Sequence, residues 1–162
     1  MALVVKKWYA SSTPNEQGSF VHLVGREAGL LSWLLALLGF DPTTEIEVKE
    51  NLILFSAASL NGKVKRVIPM KSLTSAFYGY EKPLKEAIVL TIVFLPLLFL
   101  GLLIGPLYYF LNKKLTVGVV EASGWSGGFS FKRSVIEGQN IKEEQAYHVI
   151  ELIRWLIERK SA

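Results

Sequence analysis

Few side chains in this chain are suited to bond-making chemistry. There are two histidines, His22 and His148, and no cysteine. Thiol and disulfide chemistry are therefore excluded, and a reducing compartment fits. Neither histidine falls in a cluster of zinc-ligand spacing, so no metal or other cofactor is expected. His148 reads as a helix residue, exposed or satisfied by packing. The run Ser123-Gly124-Trp125-Ser126-Gly127 contains a Gly-x-Ser-Gly string. It falls between two strand-like segments without a positioned base, so it reads as a turn and not a nucleophile elbow. No glycine-rich phosphate loop is present. Glu143 and Glu144 are adjacent, point to different helix faces, and do not make an acid–base dyad. These residues argue against an enzyme.

Basic side chains are the remaining candidates. Lys63, Lys65 and Arg66 share one expected hairpin, Lys132 and Arg133 lie in a late strand, and Lys71 is near the hairpin. Lys82 and Lys85 precede a long apolar run, and Lys113 and Lys114 follow it. A modest net charge of +4 without a dense basic stripe speaks against nucleic acid. It suits an anionic lipid surface, where each basic residue contributes roughly 1 kcal/mol. Lys82, Lys85, Lys113 and Lys114 are expected at lipid headgroups, and Lys63, Lys65 and Arg66 are further candidates. A solvated strand face is the competing reading for the latter three.

The apolar run, residues 87–111, is the element that would position these lysines. It is uncharged, and about 25 residues at 1.5 Å each give roughly 37 Å, enough to cross a bilayer. Two topologies compete. A single span would put the two halves of the chain on opposite sides, and neither half makes a good domain alone. A re-entrant hairpin broken at Pro96, Gly101, Gly105 and Pro106 would keep both flanks on one side. Lysines at both ends favour this second form, with the folded part on the cytoplasmic side. Gly101 and Gly105 form a GxxxG pattern, read either as a helix-packing contact or as the bend itself. Tyr108 and Tyr109, with Phe110, resemble an interfacial aromatic belt.

Residues 26–39 are a second apolar element. Gly29, Ser32, Ala36 and Gly39 fall on one helical face of small residues suited to helix packing. Leucines and Trp33 cover the rest, so no polar face remains. At roughly 20 Å the segment is too short to span. It is read as an interfacial helix with Trp33 at the membrane boundary, or as a buried core helix.

Strand signals fill most of the remainder, at residues 3–9, 19–24, 45–50, 52–58, 63–68, 73–80, 115–122 and 128–136. Asn61-Gly62 marks a hairpin. The last element is a helix with Asn140 as N-cap, Glu143 at its third position and an apolar stripe of Ala146, Val149, Ile150, Ile153, Leu156 and Ile157. Several strands, an Asn-Gly meander, a final hairpin and one capping helix resemble a pleckstrin-homology-like (PH-like) domain. The stretches at 29–39, 41–48, 59–69, 79–83 and 129–137 are similar to bacterial PH-like membrane proteins with a hydrophobic insertion.

The resemblance implies an α+β fold, a PH-like antiparallel β-sandwich or barrel capped by the C-terminal helix. Residues 1–83 and 113–162 would form a discontinuous domain, and 84–112 a membrane-inserted helical hairpin. The expected function is a non-enzymatic, membrane-anchored scaffold or interaction protein that binds anionic lipid and self-associates, with a possible protein partner. The alternative is a subunit of an oligomeric pore or small transporter.

Overall fold

The computed structural model describes residues 2–27, 30–39, 43–59, 62–97, 99–133 and 138–161. Its strands are β1 (Ala2–Ala10), β2 (Ser19–Glu27), β3 (Thr43–Lys49), β4 (Leu52–Ser59), β5 (Gly62–Pro69), β6 (Leu73–Glu81), β7 (Lys114–Glu121) and β8 (Ser126–Lys132). Its helices are α1 (Leu30–Leu37), α2 (Leu84–Phe94), α3 (Gly101–Leu111) and α4 (Glu143–Ser161), with a 3-10 turn at Met70–Ser72. All eight strands belong to one sheet, in the order β5-β4-β3-β2-β1-β8-β7-β6.

Alternation decides which face of this sheet is covered. Val21 and Leu23 of β2, Ile46 and Val48 of β3, Ile53 of β4, Ile68 of β5 and Val117 and Val119 of β7 are all buried in one cluster. Helix α4 lays Ala146, Val149, Leu152, Ile153 and Leu156 on that cluster. Its opposite side carries Arg154 and Glu158, an exposed pair 2.7 Å apart. The sheet also curls. Phe55 of β4 meets Trp125 and Phe129 at ring distances of 5.8 and 5.6 Å. Arg66 of β5 reaches Glu121 of β7 at 3.1 Å and stacks over Trp125 at 4.0 Å. The edge strands β5 and β6 are joined through the 3-10 turn, where buried Met70 anchors the corner and Ser72 donates to the Pro69 carbonyl at 2.8 Å.

The expected PH-like antiparallel sandwich or barrel with a membrane-inserted hairpin is corrected on two counts. The sheet is a single mixed one. β1 lies between β2, its antiparallel partner, and β8, which it joins in parallel through Ala2↔Ser130 and Leu3↔Phe131. A reversal at every one of the seven steps would leave β8 antiparallel to β1; the parallel direction arises because β5 and β6 run the same way across the 3-10 turn. Second, among the described residues no helix is long and apolar enough to cross a membrane. The apolar run breaks at residues 95–100 into two helices of 11 residues. Each is about 16 Å long against a hydrocarbon layer of about 30 Å. The expected transmembrane helix and inserted hairpin are withdrawn.

Smaller corrections concern helix starts. Strand β2 continues to Glu27, where Arg26 is paired opposite Val4 and buried, so the helix expected over 26–39 covers Leu30–Leu37. Gly39, at φ +85°, follows it closely, as Asp41-Pro42 in the sequence suggests. Helix α4 begins at Glu143, not after Asn140. The Gln145 side chain accepts the Lys142 N–H at 2.9 Å, the bond expected of Glu143 toward Asn140. The Glu143 carboxylate is instead bonded to Lys113.

Candidate functional site

Strands β6 and β7 pair antiparallel from Leu73↔Glu121 to Glu81↔Lys114, with one register shift between Leu73 and Ser75. Between the two ends of that ladder, α2 and α3 leave the sheet and return. They touch through a seam of small residues. A Cβ on Gly101 would lie 2.0 Å from the Thr91 carbonyl oxygen, and one on Gly105 would lie 2.8 Å from that of Ala87. Only glycine permits this approach. Thr91 turns its hydroxyl back to the Ala87 carbonyl at 2.9 Å, so its polar atom is satisfied inside the seam. At the tip, Phe99 takes φ +58° and short turns bond Leu97, Phe99 and Leu100 to residues 94–97.

With the seam made of Ala87, Gly101 and Gly105, the larger side chains point outward. Fourteen of the twenty-four exposed large hydrophobic residues in the described structure lie between Leu84 and Leu111, with Leu103 at 71% and Phe99 at 69%. A contiguous apolar surface of this density marks a contact with lipid or protein.

Charged and aromatic groups gather where the helix pair meets the sheet. Lys82 sits 5.0 Å from the Tyr109 ring and 5.4 Å from that of Phe110. Lys113 sits 4.2 Å from the Tyr80 ring, and Lys132 lies 5.8 Å from Tyr108. Tyr109 and Phe110 meet edge to face at 5.4 Å. Lys85 is exposed, and Lys114 stands between Glu81 and Lys132 in the sheet. The geometry therefore collects Lys82, Lys113, Lys114, Tyr108 and Tyr109 in one collar. It does not bring Lys63, Lys65 and Arg66 there. Those are on β5, where Arg66 is held by Glu121 and Trp125, and Lys63 and Lys65 border a small pocket with Glu45 and Glu47. In α1, Ser32 and Ala36 are half-buried and Gly39 is exposed. Gly29 and the Trp33 side chain lie outside the described residues.

Sequence spacing missed a cleft of about 410 Å³ beside the collar. Phe110, Leu111 and Lys113 form one wall, Lys132 and Arg133 leave β8 into it, and Gln139, Asn140 and Lys142 approach α4 from below. These groups are separated by as much as 32 positions in the chain, so only the fold unites them. Arg133 and Lys142 meet no carboxylate within ion-pair distance among the described residues.

On the other half of the sheet, pairing of β2 with β3 creates a polar network that spacing also missed. His22 Nε2 lies 2.6 Å from Glu45, and Ser19 donates to Glu47 at 2.5 Å. Burial alone would raise the Glu47 pKa, but the Ser19 hydroxyl and Lys49 together hold it below its ordinary value. Ser19 is wholly buried and bonded to a carboxylate, which leaves it no path to a substrate. Among the described residues no group of three His, Cys, Asp or Glu could hold a metal.

No protein-family model, curated protein or solved structure matches this chain.

Proposed function

We propose that this protein is a non-enzymatic interaction module that attaches to one face of a membrane, resting the α2–α3 pair against the lipid surface without crossing it. The observation that carries this reading is the outward apolar surface between Leu84 and Leu111, rimmed at its base by Lys82, Lys113, Lys114, Tyr108 and Tyr109. Apolar side chains beyond a collar of amphipathic aromatics and lysines fit the order of layers met on approaching a bilayer from water. If six of these side chains sink into the interfacial layer at about 1 kcal/mol each, attachment gains about 6 kcal/mol before any charge term. Lysines at both ends of the pair favour an anionic, cytoplasmic face.

Flotation with phosphatidylcholine vesicles, with and without a third of phosphatidylglycerol, tests the reading. The native chain is expected to rise with both, and more completely with the anionic set. The I92E/L103E variant alters two exposed side chains and is expected to keep its fold by circular dichroism while losing both. Native protein that stays at the bottom of the gradient as a defined oligomer overturns the reading, since a second copy would then cover the apolar surface.

A further inference from the structure

We infer that the cleft between α3, the end of β8 and the segment entering α4 takes the phosphate of an anionic phospholipid, a step that rests on the membrane attachment proposed above. Three features carry it. First, the cleft is a built concavity of about 410 Å³, within the size range of about 300–1,000 Å³ for small-ligand sites. Second, its charges do not cancel. Lys113 is used by Glu143, which leaves Lys132, Arg133 and Lys142 facing only Glu144 among the lining residues. Arg133 can present its planar fork to two phosphate oxygens, Lys132 and Lys142 add point charges, and the Asn140 side-chain amide adds a neutral donor.

Third, the lining of the cleft also has an apolar part. Phe110 and Leu111 are exposed at 68% and 47% and continue the outward surface of α3. A free phosphate ion has no use for that part. A phospholipid does: its phosphate enters among Lys132, Arg133 and Lys142 while its acyl chains follow Phe110 onto the helix pair. Charge and apolar surface are thus arranged in the order of one lipid molecule, which favours the lipid over the free anion. The cleft also lies at the foot of the pair, where headgroups stand if the pair rests on the bilayer.

The test compares two variants of equal charge. K132A/R133A empties the cleft of two cations. R154A/R159A removes two exposed cations from α4, at least 12 residues beyond Lys142 in the chain. Both are measured by flotation on neutral and on one-third phosphatidylglycerol vesicles. At roughly fivefold per cation near an anionic surface, K132A/R133A is expected to weaken anionic binding about 30-fold. R154A/R159A is expected to change it by less than about threefold, and neither should alter neutral binding. Equal losses in the two variants mean diffuse charge and overturn the cleft assignment. So does a native chain that binds neutral and anionic vesicles equally, although membrane attachment then survives.

A second measurement separates the two ideas from the other side. Labelled native protein is titrated with short-chain dihexanoyl phosphatidylglycerol below its micelle concentration, and with inorganic phosphate at matched ionic strength. Saturable shifts at Lys132, Arg133 and Lys142 with the lipid, at concentrations where phosphate gives none, support the cleft even if vesicles fail to bind. Absence of lipid shifts, or equal affinity for phosphate, overturns the inference.

Discussion

Replacing Gly101 by alanine probes the seam between α2 and α3. Two physical roles are open to this glycine. If it eased the bend at residues 95–100, alanine would cost little, because Gly101 has no positive φ. If it permits helix contact, the added methyl collides with backbone. Its Cβ would lie 2.0 Å from the Thr91 carbonyl oxygen and 2.8 Å from the Leu95 nitrogen. Against an ordinary C···O approach of about 3.3 Å, the helices must part by about 1.3 Å. Overpacking of that kind costs about 1–3 kcal/mol, and alanine returns up to about 1 kcal/mol of helix propensity. The net, about 1–2 kcal/mol, should speed hydrogen exchange of the α2 and α3 amides about 5–30-fold. Exchange in α4 should not change, since α4 packs on the sheet and not on the pair. Gly105→Ala should be milder. Its closest obstacle is the Thr91 hydroxyl, which can swing away, and the Ala87 carbonyl at 2.8 Å asks for only about 0.5 Å. Amides in G101A that exchange as slowly as in the native chain would refute the close-packed seam.

Two further predictions concern the sheet. Gly138 has φ +80°, and a Cβ there would meet Val4 Cγ1 and the Val5 carbonyl at 2.5 Å each. Gly138→Ala should therefore cost about 2–3 kcal/mol and lower the Tm by about 4–12 °C in a circular-dichroism melt; an unchanged Tm would mean that the isolated antiparallel bridge in which the Gln139 N–H donates to the Val5 carbonyl at 2.8 Å does not hold this segment. Glu47 is held below its ordinary pKa by Ser19 and Lys49, against the opposing effect of burial. A depressed carboxylate pKa adds stability that is complete above the unfolded value, near 4.5, and is lost as pH falls through the folded value. Urea midpoints of the native chain should drop more steeply below about pH 4.5 than those of S19A, and parallel acid limbs would contradict the assignment.

Strand β3 was legible because it carries its own alternation. Glu45, Glu47 and Lys49 are interleaved with Ile46 and Val48, and the latter two are buried as the pattern requires. The α4 stripe was equally plain in Ala146, Val149, Ile153 and Leu156, all buried. What the pattern could not reveal was which strand lies beside which. Periodicity in Leu3 and Phe131 says that both face inward, not that they are parallel neighbours. The apolar run misled for a related reason. Length and hydropathy measure a sum over residues, whereas the helix ends where Pro96 and Phe99 turn the backbone. The cleft was invisible because Lys132 and Arg133 lie at least nine positions from Lys142 in the chain. The Asn140 signal, moreover, marks a helix start two residues early, because α4 opens after Lys142, whose N–H donates to Gln145.

Placement of the apolar helices follows from the β6–β7 ladder. Glu81 and Lys114 face each other as its last pair, so everything between them replaces what could have been a short hairpin loop. Neighbouring strands need no crossover, and the register of the sheet is set by Leu73 to Glu81 against Lys114 to Glu121 without help from the helices. An insertion at such a point can be as apolar as its partner requires and still leave the core unchanged, because α2 and α3 bury their seam in each other while α4 covers the sheet. The same geometry explains the collar. Both ends of the insertion leave the sheet side by side, so Lys82 before it and Lys113 after it are brought to the rings of Tyr109 and Tyr80. Two lysines 31 positions apart become one feature of the surface, at the boundary where apolar side chains give way to charge.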